Sequence, residues 1–132
     1  DARAKEHGEY WVNRLLSQWY CVYKGFSTIE NIKKYDIIMR CRYDILFHDN
    51  INFKINEKLN IPINNVQPYN DHFAYGNPTI MEQYCNYYNN FLAMYEKYNI
   101  DISYAEKGLK FYIEEFCKIQ TNYFKSNYNI YK

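Results

Sequence analysis

The chain has 132 residues, 48% of them hydrophobic and 20% aromatic, with a formal net charge of +1. That length suits one domain with a real core, and the composition excludes a disordered chain. Positive and negative residues are interspersed with no basic stripe, so nucleic acid is a poor partner.

The 17 tyrosines, beside many Asn, Ile and Lys residues, reflect a compositional bias and are not read as a binding code. Four cysteines, Cys21, Cys41, Cys85 and Cys117, lie far apart without metal-site spacing. Cys85 and Cys117 on apolar helix faces and Cys41 inside a strand read as reduced core residues, which fits a cytoplasmic location. No signal peptide or membrane-length apolar run is visible, and Pro78 spoils the Asn77 glycosylation acceptor.

Residues 3–24 read as a helix, with Trp11, Leu15, Trp19, Val22 and Tyr23 at helical spacing and Gly25 ending or bending it. Trp11 and Trp19 could stack on a sugar, but their spacing places them in the core first. Ser27 and Glu30 have capping-box spacing and would open a short second helix. Residues 35–47, YDIIMRCRYDILF, lack helical periodicity and read as one strand.

Residues 48–61 read as loop, with a short strand at 51–55 and a solvated face at Lys54, Glu57 and Lys58. Residues 65–69 and 72–75 are short strands split by Asn70-Asp71. Asn77 and Pro78 form a strong helix start. The helix would run over 78–98, with Met81, Tyr84, Cys85, Tyr88, Phe91, Leu92 and Tyr95 as its apolar stripe. Ser103 and Glu106 have capping-box spacing before a last helix carrying Leu109, Tyr112, Ile113, Phe116 and Cys117. Residues 120–132 would add a strand or trail off. The fold class is α/β, a small mixed sheet flanked by helices.

Arg40, Arg42 and Asp44 are the unusual feature of the 35–47 strand. Unpaired buried charges are expensive. On a strand the three share one face, and Asp44 falls at the end where α/β proteins bind ligands. They could offer guanidinium forks to phosphate and a carboxylate to a divalent cation. The competing reading is a salt-bridged ladder on an edge strand.

Tyr-Asp-x-x-x-Arg-x-Arg-x-Asp-Ile-Leu-Phe resembles the signature of small GT-A-type glycosyltransferases of polysaccharide and glycan synthesis, from bacteria and large DNA viruses. Asn70-Asp71-His72-Phe73-Ala74-Tyr75-Gly76, followed by Met81 and Tyr84, resembles a second segment of these families. The resemblance covers about Trp11 to Tyr112. It implies part of a GT-A, nucleotide-diphospho-sugar transferase fold, with a nucleotide sugar as donor and a glycan as acceptor. Asp44 would hold Mn²⁺ or Mg²⁺, and Arg40 and Arg42 would support the diphosphate. Asp71 would act on the acceptor hydroxyl, with His72 and Glu106 in the acceptor site. A viral member would work in the host cytoplasm.

Two departures stand against the pattern. Arg42 occupies the position of the first metal-binding aspartate, and Tyr43 that of a usual proline. Only 34 residues precede Tyr35, and they read as helix where the family has a nucleotide-binding βαβ unit. Residues 1–132 therefore read as a single domain or the C-terminal portion of one. The alternative function is a non-catalytic binding or interaction domain. Asp71 also has a plain reading as turn chemistry, and Glu106 as half of a capping box. His72 reads first as a locally bonded strand residue.

Overall fold

The computed structural model describes residues 2–63, 70–99 and 105–131. The apolar stripe of the first segment forms helix α1, Ala2–Ser27. It turns Leu15, Leu16, Trp19, Val22 and Phe26 toward the core, one face of a 3.6-residue repeat. The helix runs through Gly25 and ends two residues beyond it. Ser27 and Thr28 donate their hydroxyls backward, to the carbonyls of Lys24 and Gly25. They close α1 rather than cap a second helix, and only a 3₁₀ turn follows, Ile32–Lys34.

The expected 35–47 strand is two strands. β1 is Ile38–Cys41 and β2 is Ile45–Phe47. Tyr43 and Asp44 form a turn between them, with Tyr43 fully exposed at its tip. Residues 51–55 form no strand. Instead β3 follows at Leu59–Pro62, in a segment read as loop. Residues 65–69 lie outside the described residues.

β4 is Phe73–Gly76. As the sequence indicates, Asn77 then caps helix α2, Pro78–Cys85, its side chain accepting from the Ile80 amide at 2.9 Å, with Pro78 in the first turn. The single helix expected over 78–98 breaks at Asn86, and α3 runs Tyr87–Tyr98. The break shifts the apolar phase by one residue. Tyr87, Phe91 and Met94 are buried, while Leu92 and Tyr95 of the expected stripe are exposed.

Helix α4, Ala105–Phe111, passes into a π-helical turn, Tyr112–Phe116. The tail supplies β5, Thr121–Phe124, and β6, Tyr128–Ile130. The protein is thus mixed α/β, a small sheet flanked by helices. The main sheet has the order β1-β4-β3-β5, parallel only between β3 and β5, and β2 pairs with β6 in a separate antiparallel ribbon. Among the described residues no helix is long and apolar enough to cross a membrane.

β3 and β4 are buried on both faces, and strand alternation explains how. Leu59, Ile61 and Ala74 point to the helices and join Trp19, Tyr84, Tyr87 and Tyr112 in the core. Phe73 and Tyr75 point the other way, against Phe47, Phe53, Phe124 and Tyr128. Asn60 sits opposite Tyr75 and is fully buried. It donates to Asn56, Lys58 and Tyr75 and accepts from Asn56 and Asn122. A buried amide with its valence filled this way costs little and pins the strand register.

The expectation that Cys41, Cys85 and Cys117 are core residues fails for Cys41. Cys85 is buried and Cys117 partly so, but Cys21 and Cys41 are exposed; all four are free thiols. Burial pushes the Cys85 thiol up to about 12, against the opposing pull of Arg40.

Gly108 is fixed by close approach rather than by backbone conformation. A Cβ there would lie 2.8 Å from the Tyr87 hydroxyl. Tyr87 cannot swing aside, since it stacks on Tyr112 at 4.6 Å and meets Trp19 edge-on at 5.0 Å. Gly108→Ala should therefore destabilise by about 1–3 kcal/mol, although alanine favours a helix by about 1 kcal/mol over glycine. Tyr87→Phe removes the obstructing oxygen, which has no hydrogen-bond partner among the described residues. The double variant should recover most of the loss in a urea-melt cycle. Additive losses would contradict this packing.

Candidate functional site

Arg40 stands on the helix side of β1, in register with Ala74. Its guanidinium lies 5.4 Å from the Trp19 ring centroid and donates to the Asp71 carbonyl. A cation on an indole face, hydrogen-bonded to a carbonyl, is a satisfied arrangement. It fastens β1 and α1 to the turn before β4.

Arg42 and Asp44 do not continue that row, because the chain turns between them. Arg42 reaches across the turn and grips both oxygens of Asp44, Nε to Oδ1 at 2.9 Å and Nη2 to Oδ2 at 2.7 Å. Asp44 is held from behind by the Tyr131 amide, which donates to its carbonyl at 2.6 Å. The bidentate bond holds the Asp44 carboxyl below the ordinary carboxylate range and raises the Arg42 guanidinium.

This arrangement does not fit a divalent cation. Both oxygens of Asp44 face a guanidinium, so the position a metal would need already carries a positive charge. Among the described residues no three His, Cys, Asp or Glu side chains come together to hold a metal ion. The Asp44 metal role implied by the resemblance has no support in this geometry.

The turn before β4 separates two neighbouring residues by task. Asn70 is buried; its Oδ1 accepts from the His72 amide at 3.2 Å and its Nδ2 donates to the Pro62 carbonyl at 2.8 Å. Asn70 therefore supplies the Asx-turn chemistry. The Asp71 side chain is left for another use. Its Oδ2 accepts from Gln18 Nε2 at 2.6 Å. His72 shares a 2.9 Å hydrogen bond with the Tyr128 hydroxyl through Nδ1.

Asp71, His72, Arg42 and Glu106 come together in one cleft of about 640 Å³, whose α1 wall carries Tyr10 and Trp11. The expectation that Trp11 is core is wrong: it is 57% exposed and Tyr10 is 56% exposed, whereas Trp19 is 2% exposed. The core stripe of α1 runs through Leu15 and Trp19, so Trp11 lies off it. Arg14 lies over both rings, 5.7 Å from Tyr10 and 5.4 Å from Trp11. The cleft thus offers carboxylates, a guanidinium, an imidazole and exposed aromatic rings. That set suits a polyhydroxylated ligand, whose apolar ring faces stack on aromatics while its hydroxyls bond to carboxylates.

Arg40 is behind this cleft and Asp44 beside it; neither lines it. Gln18 and Tyr128 were not singled out from sequence, and each contacts its partner across more than 50 residues. Ser103, the other half of the expected capping box, lies outside the described residues. Compared with protein-family models, curated proteins and solved structures, the chain matches none.

Burial lowers the His72 pKa below 6.5, helped by Arg42 and Arg40 and opposed by Asp71 and Asp44. A histidine that resists protonation when folded makes the unfolded state bind more protons below the unfolded pKa. Its contribution is then complete above about pH 6.5 and is lost as pH falls toward the folded value. The His72 part of stability should therefore fall as the pH drops below about 6.5. His72→Gln should flatten that slope in melts taken across the range. An unchanged slope would mean His72 is solvated like a free histidine.

Proposed function

We propose that the protein is a glycosyltransferase-like protein that transfers a sugar from a nucleotide-diphosphate sugar to a glycan hydroxyl, with the acceptor in the Asp71 cleft. The observation that carries this reading is the union of Arg42, Asp71, His72 and Glu106 with Trp11 and Tyr10 in one cleft. The resemblance to GT-A-type enzymes in the 35–47 and 70–76 segments points the same way.

In this reading Asp71 accepts the proton of the attacking hydroxyl, with Gln18 fixing its rotamer. Arg42 spends Nε and Nη2 on Asp44, which leaves guanidinium donors for a phosphate oxygen. Electrostatic support of a leaving diphosphate would then come from arginine rather than from a metal.

The test is release of nucleoside diphosphate from a panel of sugar nucleotides, with and without glycan acceptors and a chelator. Acceptor-dependent release that survives chelation is the expected result. Absence of release from every pair, with glycans still binding, would favour the second reading, a non-catalytic glycan-binding domain. The Arg42–Asp44 pair gives that alternative its weight, because it closes the carboxylate from which metal chemistry would be built.

A further inference from the structure

A second groove, of about 600 Å³, lies between α1 and β1. Among the described residues β1 is an edge strand, paired in the sheet with β4. Its ladder shows which groups face outward. Arg42 donates its amide to the His72 carbonyl, so 42 and 72 are a hydrogen-bonded pair. Alternation then makes Arg40 with Ala74 and Ile38 with Gly76 bonded pairs as well. The amides and carbonyls of Met39 and Cys41 therefore point away from β4, toward the groove. No described residue hydrogen-bonds to them from that side.

The lining is graded along its length. Phe26, Ile29 and Ile38 make an apolar end, and Arg14, Arg40 and Arg42 make a cationic end. Among the described residues no aspartate or glutamate lines the groove. Arg42 has Asp44, but among the described residues Arg14 and Arg40 have no carboxylate partner. A free strand edge is a template for another strand. A second copy of this chain would bring arginines against arginines across the groove, which disfavours self-pairing.

We infer that the edge of β1 receives an extended segment of another polypeptide, adding a strand to the sheet, with apolar and acidic side chains directed into the groove. Main-chain bonds from Met39 and Cys41 would hold the segment. Apolar side chains would rest against Phe26 and Ile29, and carboxylates would meet Arg14 and Arg40. This is the strand-addition mode of peptide recognition. The cationic end of the groove adjoins the Asp71 cleft, since Arg14, Gln18 and Arg42 line both, but the free strand edge at Met39 and Cys41 takes no part in the sugar-transfer reading.

The experiment is fluorescence anisotropy with three labelled peptides of one length. The first alternates threonine with valine and glutamate, the second carries lysine for glutamate, and the third is the first with alternate backbone amides methylated. Met39→Pro deletes an outward amide and leaves the β1–β4 ladder intact, as proline on an edge strand allows. Binding of the first peptide is expected to be at least about tenfold tighter than that of the other two, and about tenfold weaker to Met39→Pro. Should that variant fail to fold, Arg14→Glu serves instead and is expected to move the preference toward the lysine peptide. Equal binding of the methylated or lysine peptide would overturn the proposal, as would absence of binding. Concentration-dependent dimers lost in Met39→Pro would also overturn it, since the occupant would then be a second copy.

Discussion

Trp19→Ala is expected to destabilise the fold by about 3–5 kcal/mol, the largest loss from any single side chain discussed above. That is a large part of the roughly 5–15 kcal/mol that holds a domain of this size together. Trp19 is nearly fully buried and meets Tyr84 and Tyr87 edge-on, at 5.2 and 5.0 Å. It joins α1 to both α2 and α3. It also floors the Arg40 guanidinium at 5.4 Å, so its removal leaves that cation without its stacking partner. The melting midpoint should fall by about 10–20 °C. Trp19→Phe should lose much less, because a ring edge remains for the two tyrosines. A midpoint within a few degrees of the parent for Trp19→Ala would mean that α1 is not docked as described.

Asp71→Asn is expected to carry the largest effect on activity, a fall of about 10²–10⁴-fold in transfer rate with the fold retained. Asparagine keeps the backbone carbonyl that Arg40 binds and an oxygen to accept from Gln18. What it loses is the ability to take a proton. The measurement is kcat for glycan transfer beside a melt of the same sample. An unchanged rate in a folded variant would remove Asp71 from the chemistry. A lost fold would instead assign the carboxylate to the α1–β4 junction.

Local signals fixed the parts of the fold that depend on short-range physics. The 3.6-residue stripe gave α1, and Asn77-Pro78 gave the start of α2 to the residue. The break at Asn86 left no such mark, because MEQYCNYYNNFLAMYEKY is apolar enough for one phase or two. The 35–47 segment misled because an apolar run on each side of Arg42-Tyr43-Asp44 looks continuous, whereas the chain turns there and its halves pair with different partners, β1 with β4 and β2 with β6. β3 was hidden by its shortness and its chemistry: Leu59-Asn60-Ile61-Pro62 ends in proline, follows a polar Asn- and Lys-rich stretch, and carries an asparagine that is buried in an amide network rather than facing water.

The site divides the same way. The resemblance pointed to Arg42, Asp71, His72 and Glu106, and these do share a cleft. Asp44 was expected as a metal ligand, but its role depends on the rotamer of Arg42, which pattern reading does not supply. Trp11 was assigned to the core because five aromatic and aliphatic positions fitted one stripe, and only packing shows that the stripe passes it by. Gln18 and Tyr128 enter through contacts that no local spacing encodes.

Tryptophan fluorescence is the direct test of saccharide binding in the cleft under Trp11. The chain has two tryptophans, one buried in the core and one exposed on the cleft wall. Titration with a panel of oligosaccharides should perturb the exposed indole, saturably, and Trp11→Phe should abolish the change without altering the melt. A fluorescence signal indifferent to every saccharide, in protein that melts cooperatively, would contradict the assignment of this cleft to sugar.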